Sequence, residues 1–208
     1  MTEYFVPTGP GEAEYVEKRS KFMGKVRPVE TEEDARAFID EMKRKYHDAR
    51  HNCWCYILKD GTMRYSDDGE PQGTAGQPML EVFSRAGVTN VVCVITRYFG
   101  GVLLGAGPLL RAYQGTAKLT LEAAGISVVR RWIALTIPCG YSLLGKITQE
   151  VPNWDGVISD TEYGADVTIR ALLPEEKAKD FMTRILDLTS GSVQAVVTGE
   201  AMKAVPLP

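Results

Sequence analysis

Three carboxylates, Asp67, Asp68 and Glu70, lie almost side by side in a glycine-broken stretch, Ser66-Asp67-Asp68-Gly69-Glu70-Pro71-Gln72-Gly73-Thr74-Ala75-Gly76-Gln77-Pro78. Oxygen ligands at this spacing suit Mg²⁺ in phosphate chemistry. Asp-Gly and Glu-Pro are also ordinary turn dipeptides, so the same residues read equally as a solvated turn. Magnesium is the only cofactor this reading suggests; it would make the chain a metal-dependent enzyme acting on a nucleotide or phosphoester.

A second group points to anion binding. Gly100, Gly101, Gly105 and Gly107 separate an apolar run, Val91 to Thr96, from a helix that opens around Gly107-Pro108-Leu109. Free backbone N–H groups at a helix start attract anions. Arg97 precedes the loop and Arg111 follows one turn into the helix, so both are placed to reach one phosphate. Lys21 is a further candidate contact, and Tyr98 or Phe99 would stack a base beside Arg97. The pattern is neither a Walker loop nor a clean G-x-G-x-x-G, and a tight loop with surface arginines fits it as well.

Other groupings carry less. His47, His51, Cys53 and Cys55 are zinc-ligand types, but His51, Cys53 and Cys55 alternate along one strand face, where small cysteines are usually core. Ser20-Lys21 is a serine beside a lysine and reads better as a strand end. No nucleophile–base pair stands out, so a binding protein is favoured over an enzyme.

The elements that position these residues follow from periodicity. Glu12 to Val26 reads as two strands or one bent strand. Thr31 caps a helix with an acidic first turn and a basic end, its face set by Ala35, Phe38, Ile39, Met42 and Tyr46. His51–Leu58 and Thr62–Tyr65 form a hairpin through Asp60-Gly61. A short helix follows Pro78, a buried strand spans Val91–Thr96, and a helix runs from Pro108 to about Ala124 with Gly125 at its end. Strands are expected at Ile126–Val129, Trp132–Ile137, Val157-Ile158, Val167–Leu173 and Val193–Val197. Helices are expected from Tyr141 to Val151 and from Pro174 onward. The later part has the order β-α-β-β-α-β of a ferredoxin-like domain. The expected class is α+β, with domains at 1–130 and 131–208.

The 208 residues are 44% hydrophobic and 25% charged, with net charge −3, an ordinary globular composition. Residues 131–208 hold 7 basic and 10 acidic side chains, against 17 and 17 in residues 1–130. A nucleic-acid surface is therefore a local patch in the first part. No apolar run is long enough to span a bilayer, and the first residues lack the pattern of a secretion signal. With four cysteines and no evident bridge, the expectation is a reduced, cytoplasmic protein without membrane contact.

Ser20-Lys21-Phe22, His51-Asn52-Cys53-Trp54-Cys55-Tyr56, the Ser66–Pro78 loop and Arg97-Tyr98-Phe99-Gly100-Gly101-Val102-Leu103-Leu104-Gly105 together resemble the IMPACT/YigZ family, in its bacterial two-domain form. The resemblance is strong over about residues 15–125. It implies a two-layer α/β fold like the second domain of ribosomal protein S5, followed by a ferredoxin-like domain similar to one in elongation factor G. Eukaryotic members regulate translation initiation by competing for an activator of an initiation-factor kinase, partly through an RWD domain; here the ferredoxin-like unit stands in its place. The resemblance thus implies a translation-linked regulatory binding protein whose partner is RNA, a ribosomal particle or a translation factor. A regulator that binds only protein is the remaining alternative.

Overall fold

The structure is a computed structural model and describes residues 3–207. The chain is α+β. It divides into two compact units, the first made of residues 4–129 with 204–207 and the second of residues 130–203.

The first unit is built on an antiparallel sheet of β2 (Gly11–Glu17), β3 (Ser20–Pro28), β4 (His51–Ile57), β5 (Met63–Ser66) and β6 (Val91–Tyr98), in the order β2-β3-β6-β4-β5. Central strand β6 is apolar on both faces because both are covered. Val91, Cys93 and Ile95 pack with α2 (Gly76–Arg85) and α3 (Ala106–Ala124). Val92 and Val94 pack with α1 (Glu32–Lys45). Helix α1 thus adds a covered face that the two-layer resemblance did not imply. The alternation of a strand sends successive side chains to opposite faces, so five consecutive apolar residues serve two cores.

The helices follow the sequence signals. Thr31 Oγ1 accepts the Asp34 amide at 3.1 Å, and Phe38, Ile39 and Met42 are buried. Helix α3 starts at Ala106, two residues before Pro108, and its end is set by Gly125 at φ +69°, a backbone region that favours glycine. The turn-rich lead-in contains a strand the sequence did not announce. β1 (Tyr4–Pro7) pairs antiparallel with Ile126–Val129.

In the second unit the elements are residues 130–139 of β7 (Ile126–Cys139), α4 (Tyr141–Asn153), β8 (Val157–Tyr163), β9 (Val167–Pro174), α5 (Glu175–Leu188) and β10 (Val196–Pro206). The order across the sheet is β10-β7-β9-β8, the split β-α-β arrangement of ferredoxin-like domains. Leu135, Ile137, Ile147, Ile169, Phe181 and Ile185 are at most 1% exposed and form its core. Two expectations shift here. The strands foreseen at 126–129 and 132–137 are one strand, β7. The last strand begins at Val196 rather than Val193, because Val193 and Ala195 insert into the core ahead of it. No helix among the described residues is long and apolar enough to cross a membrane.

All four cysteines are free and buried. Burial pushes every one of these thiols above its ordinary range, since a thiolate is disfavoured away from water. The folded protein is therefore expected to react with an aromatic disulfide reagent at about pH 8 far more slowly than a free thiol. All four should react at once in denaturant; fast reaction of the native protein would contradict this packing.

Candidate anion-binding site

The loop between β5 and α2 is held by its own acidic residues. Asp67 Oδ1 accepts the amides of Ala75 and Gly76 at 3.1 and 2.8 Å, and Oδ2 accepts that of Gly73 at 2.9 Å. Asp67 thereby closes the loop and supplies the start of α2 with an acceptor. Gly76 is required there: a Cβ would stand 2.6 Å from the Ser66 carbonyl oxygen. Asp68 accepts the Asn52 amide at 2.7 Å and pairs with Lys43 at 2.8 Å.

Glu70 turns inward. Its side chain is 3% exposed, and Oε1 accepts from Arg97 Nη1 at 2.7 Å and from the Tyr113 hydroxyl at 2.9 Å. Arg97 is itself 5% exposed, and its Nη2 donates to Ser20 Oγ at 3.3 Å. The same Ser20 oxygen accepts the Gly100 amide at 3.2 Å. One buried ion pair therefore ties together the acidic loop, β6, α3 and the β2–β3 turn. Burial, followed by the neighbouring Cys53 and Glu70, keeps the Tyr113 phenol far above its ordinary range, so it remains a donor.

His51 lies beside this pair. Its Nδ1 donates to the Asp68 carbonyl at 2.7 Å; a carbonyl only accepts, which places the ring proton on Nδ1 and leaves Nε2 an acceptor in the neutral ring. Nε2 stands 3.8 Å from Glu70 Oε2.

These groups line a pocket of about 440 Å³ with Arg50, Phe99, Leu103 and the start of α3 at Gly105 and Ala106. Helix α3 has 19 residues, no side-chain cap and no acidic residue in its first turn. The amides of Ala106 and Gly107 have no partner within the helix and carry the positive end of its dipole. Arg50 is exposed, its guanidinium 5.6 Å from the Phe99 ring centroid.

An Impact N-terminal domain family model matches residues 18–121, and a domain of unknown function, DUF1949, matches residues 137–192. The chain is 34% identical over 193 residues to the IMPACT family member YvyE of Bacillus subtilis, covering 92% of this chain and 89% of the relative. The chain belongs to the IMPACT family. It is likewise 33% identical to the IMPACT family member YigZ of Escherichia coli, over 96% of this chain and the whole of that relative. A crystal structure of a hypothetical protein matches with TM-score 0.60 and 32% identity over 96% of this chain and 98% of that one.

The residues singled out in the sequence of this IMPACT domain go to different places. Arg97, Phe99 and Gly105 line the pocket, and Arg97 is paired there with Glu70. Arg111 is exposed and lines a separate groove between α2 and α3. Lys21 pairs with Glu14 at 2.8 Å, and the Tyr98 hydroxyl donates to Asp48 at 2.8 Å. Gly101 and Gly105 take φ of +83° and +80° in open space, and a Cβ added at Gly107 would stand 3.5 Å from Arg111 Nη1. Gly100 has the opposite role, since a Cβ there would meet the Arg19 carbonyl carbon at 2.1 Å. Asp67, Asp68 and Glu70 do not converge: among the described residues no three of His, Cys, Asp and Glu are grouped to hold a metal ion. Ser20, Arg50, His51 and Tyr113 are the site residues that sequence reasoning passed over or set aside. Only Arg50, a basic residue just before a buried strand, offered a local signal.

Removing either member of the buried pair strands the other charge. Glu70→Ala and Arg97→Ala are each expected to cost about 3–5 kcal/mol in urea unfolding, with the double variant losing less than the two added together. Gly101→Ala should cost about 1–2 kcal/mol for its left-handed backbone. Gly100→Ala should cost more, because backbone must move; equal losses at the two glycines would contradict the contact.

Proposed function

We propose that this IMPACT-family chain is a translation-linked regulatory binding protein, active in the cytoplasm, that takes a phosphate-bearing RNA partner at the pocket where α3 begins. One observation carries the reading: the uncapped start of a 19-residue helix opens beside Arg50 onto a pocket of about 440 Å³. Backbone amides at a helix start are a general phosphate site. The family resemblance supplies the link to translation. Exposed Phe99, at 39%, gives the site a stacking surface next to the cation, as single-stranded RNA readers use.

In this reading the charges divide their work. Arg97 and Glu70 hold the pocket in shape. Arg50 contacts a phosphate, and Lys21 and Arg111 extend the path of the backbone away from it. Asp67 and Asp68 order the loop rather than hold a cation.

The test is binding of fluorescent single-stranded RNA across a salt series. The expected result is affinity that falls as salt rises, with Arg50→Ala reducing the slope of log affinity against log salt by about 1. RNA binding that is absent at low salt would reject the reading and turn attention to a protein partner.

A further inference from the structure

Two acceptors stand side by side among the residues that line the pocket with Arg97. Glu70 Oε1 is saturated by Arg97 and Tyr113, but Oε2 receives no hydrogen bond from any described residue. Glu70 lines the pocket, and Oε2 is not one of the buried side-chain atoms that lack a partner, so it keeps contact with solvent. The neighbouring acceptor is His51 Nε2, held 3.8 Å away by the Nδ1–Asp68 bond. A carboxylate oxygen that is open to solvent and takes no hydrogen bond from the protein is free to accept one from a ligand. Two adjacent acceptors are complementary to two adjacent donors.

Among the four RNA bases only guanine carries such an edge. Its N1–H and exocyclic N2 amino group point the same way. Adenine and cytosine place a ring acceptor beside their amino group, and uracil places carbonyls on both sides of its one N–H. Either arrangement would set acceptor against acceptor here. The remaining features of a nucleotide site surround this pair. Phe99 offers a ring face, Arg50 lies against that ring, and Gly105 and Ala106 at the start of α3 line the same cavity.

We infer that the pocket is a guanine subsite: Glu70 Oε2 and His51 Nε2 accept from N1–H and N2–H, Phe99 stacks the base, and the start of α3 with Arg50 takes the attached phosphate. This rests on the phosphate-binding reading above and adds base selectivity to it. The guanylate is either free or part of an RNA strand.

The experiment needs no disruption of the buried pair. Calorimetric titration of the intact chain at about pH 8 with GMP, IMP, AMP, CMP and UMP compares the base edges directly. IMP keeps N1–H and lacks the 2-amino group. In parallel, a guanosine-containing single-stranded oligoribonucleotide is compared with the same strand carrying inosine. GMP, or the guanosine strand, should bind about tenfold or more tighter than its inosine counterpart. His51→Ala should bring guanosine and inosine to near parity, whereas Phe99→Ala should weaken all bases alike. Selectivity in the strand but not in the free nucleotides supports the subsite and assigns its guanine to RNA. Equal binding of all bases by a protein that does bind RNA overturns the subsite and leaves the phosphate reading standing. No binding of any nucleotide or strand overturns both.

Discussion

The buried pair between Glu70 and Arg97 is the constraint on which the rest of the first unit depends. Taking two charges out of water is expensive, and their attraction offsets that only when geometry and further hydrogen bonds are good. Tyr113 and Ser20 provide those bonds, and each comes from a different part of the chain. The pair therefore forms only when the acidic loop, β6, α3 and the β2–β3 turn have all assembled. It adds little net stability over an apolar substitute, but it rejects any arrangement that leaves one charge behind. The pocket is the space left beside it.

Backbone geometry reinforces the same point. Gly100 lets the strand end pass against Arg19 and Ser20, which puts its amide on the oxygen that also receives Arg97. Asp67 closes the preceding loop through three amides, so that Glu70 is delivered inward. The two long motifs of the IMPACT domain thus meet at one place in the fold, and most of their conspicuous residues shape the pocket rather than project into it.

This explains what was legible in the sequence. Periodicity and caps marked α1, α3, β4 and β6, because their apolar faces repeat cleanly. The β-α-β-β-α-β order of the second unit was legible for the same reason. β1 and β10 were not well marked, since their exposed residues follow no strong alternation. At the site, the glycine-rich loop and the acidic loop were visible as unusual composition. That Arg97 pairs with Glu70 across twenty-seven positions was not, because a sequence does not say which charges are removed from water together. Arginine beside glycine looked like a phosphate contact; in the fold Arg97 is buried against Glu70, and the proposed phosphate contact is Arg50.

The acidic second unit is held at its surface by exposed ion pairs such as Arg170–Glu162 and Arg184–Glu150, each worth little alone. The proposed RNA site lies on the first unit only. The most direct test is amide chemical-shift mapping of the whole chain as a short single-stranded RNA is added. The account predicts the largest shifts at Gly105, Ala106, Gly107, Phe99 and Arg50, with residues 130–203 nearly unmoved. Shifts centred on residues 130–203, or on the α2–α3 groove around Arg111 with the start of α3 silent, would contradict it.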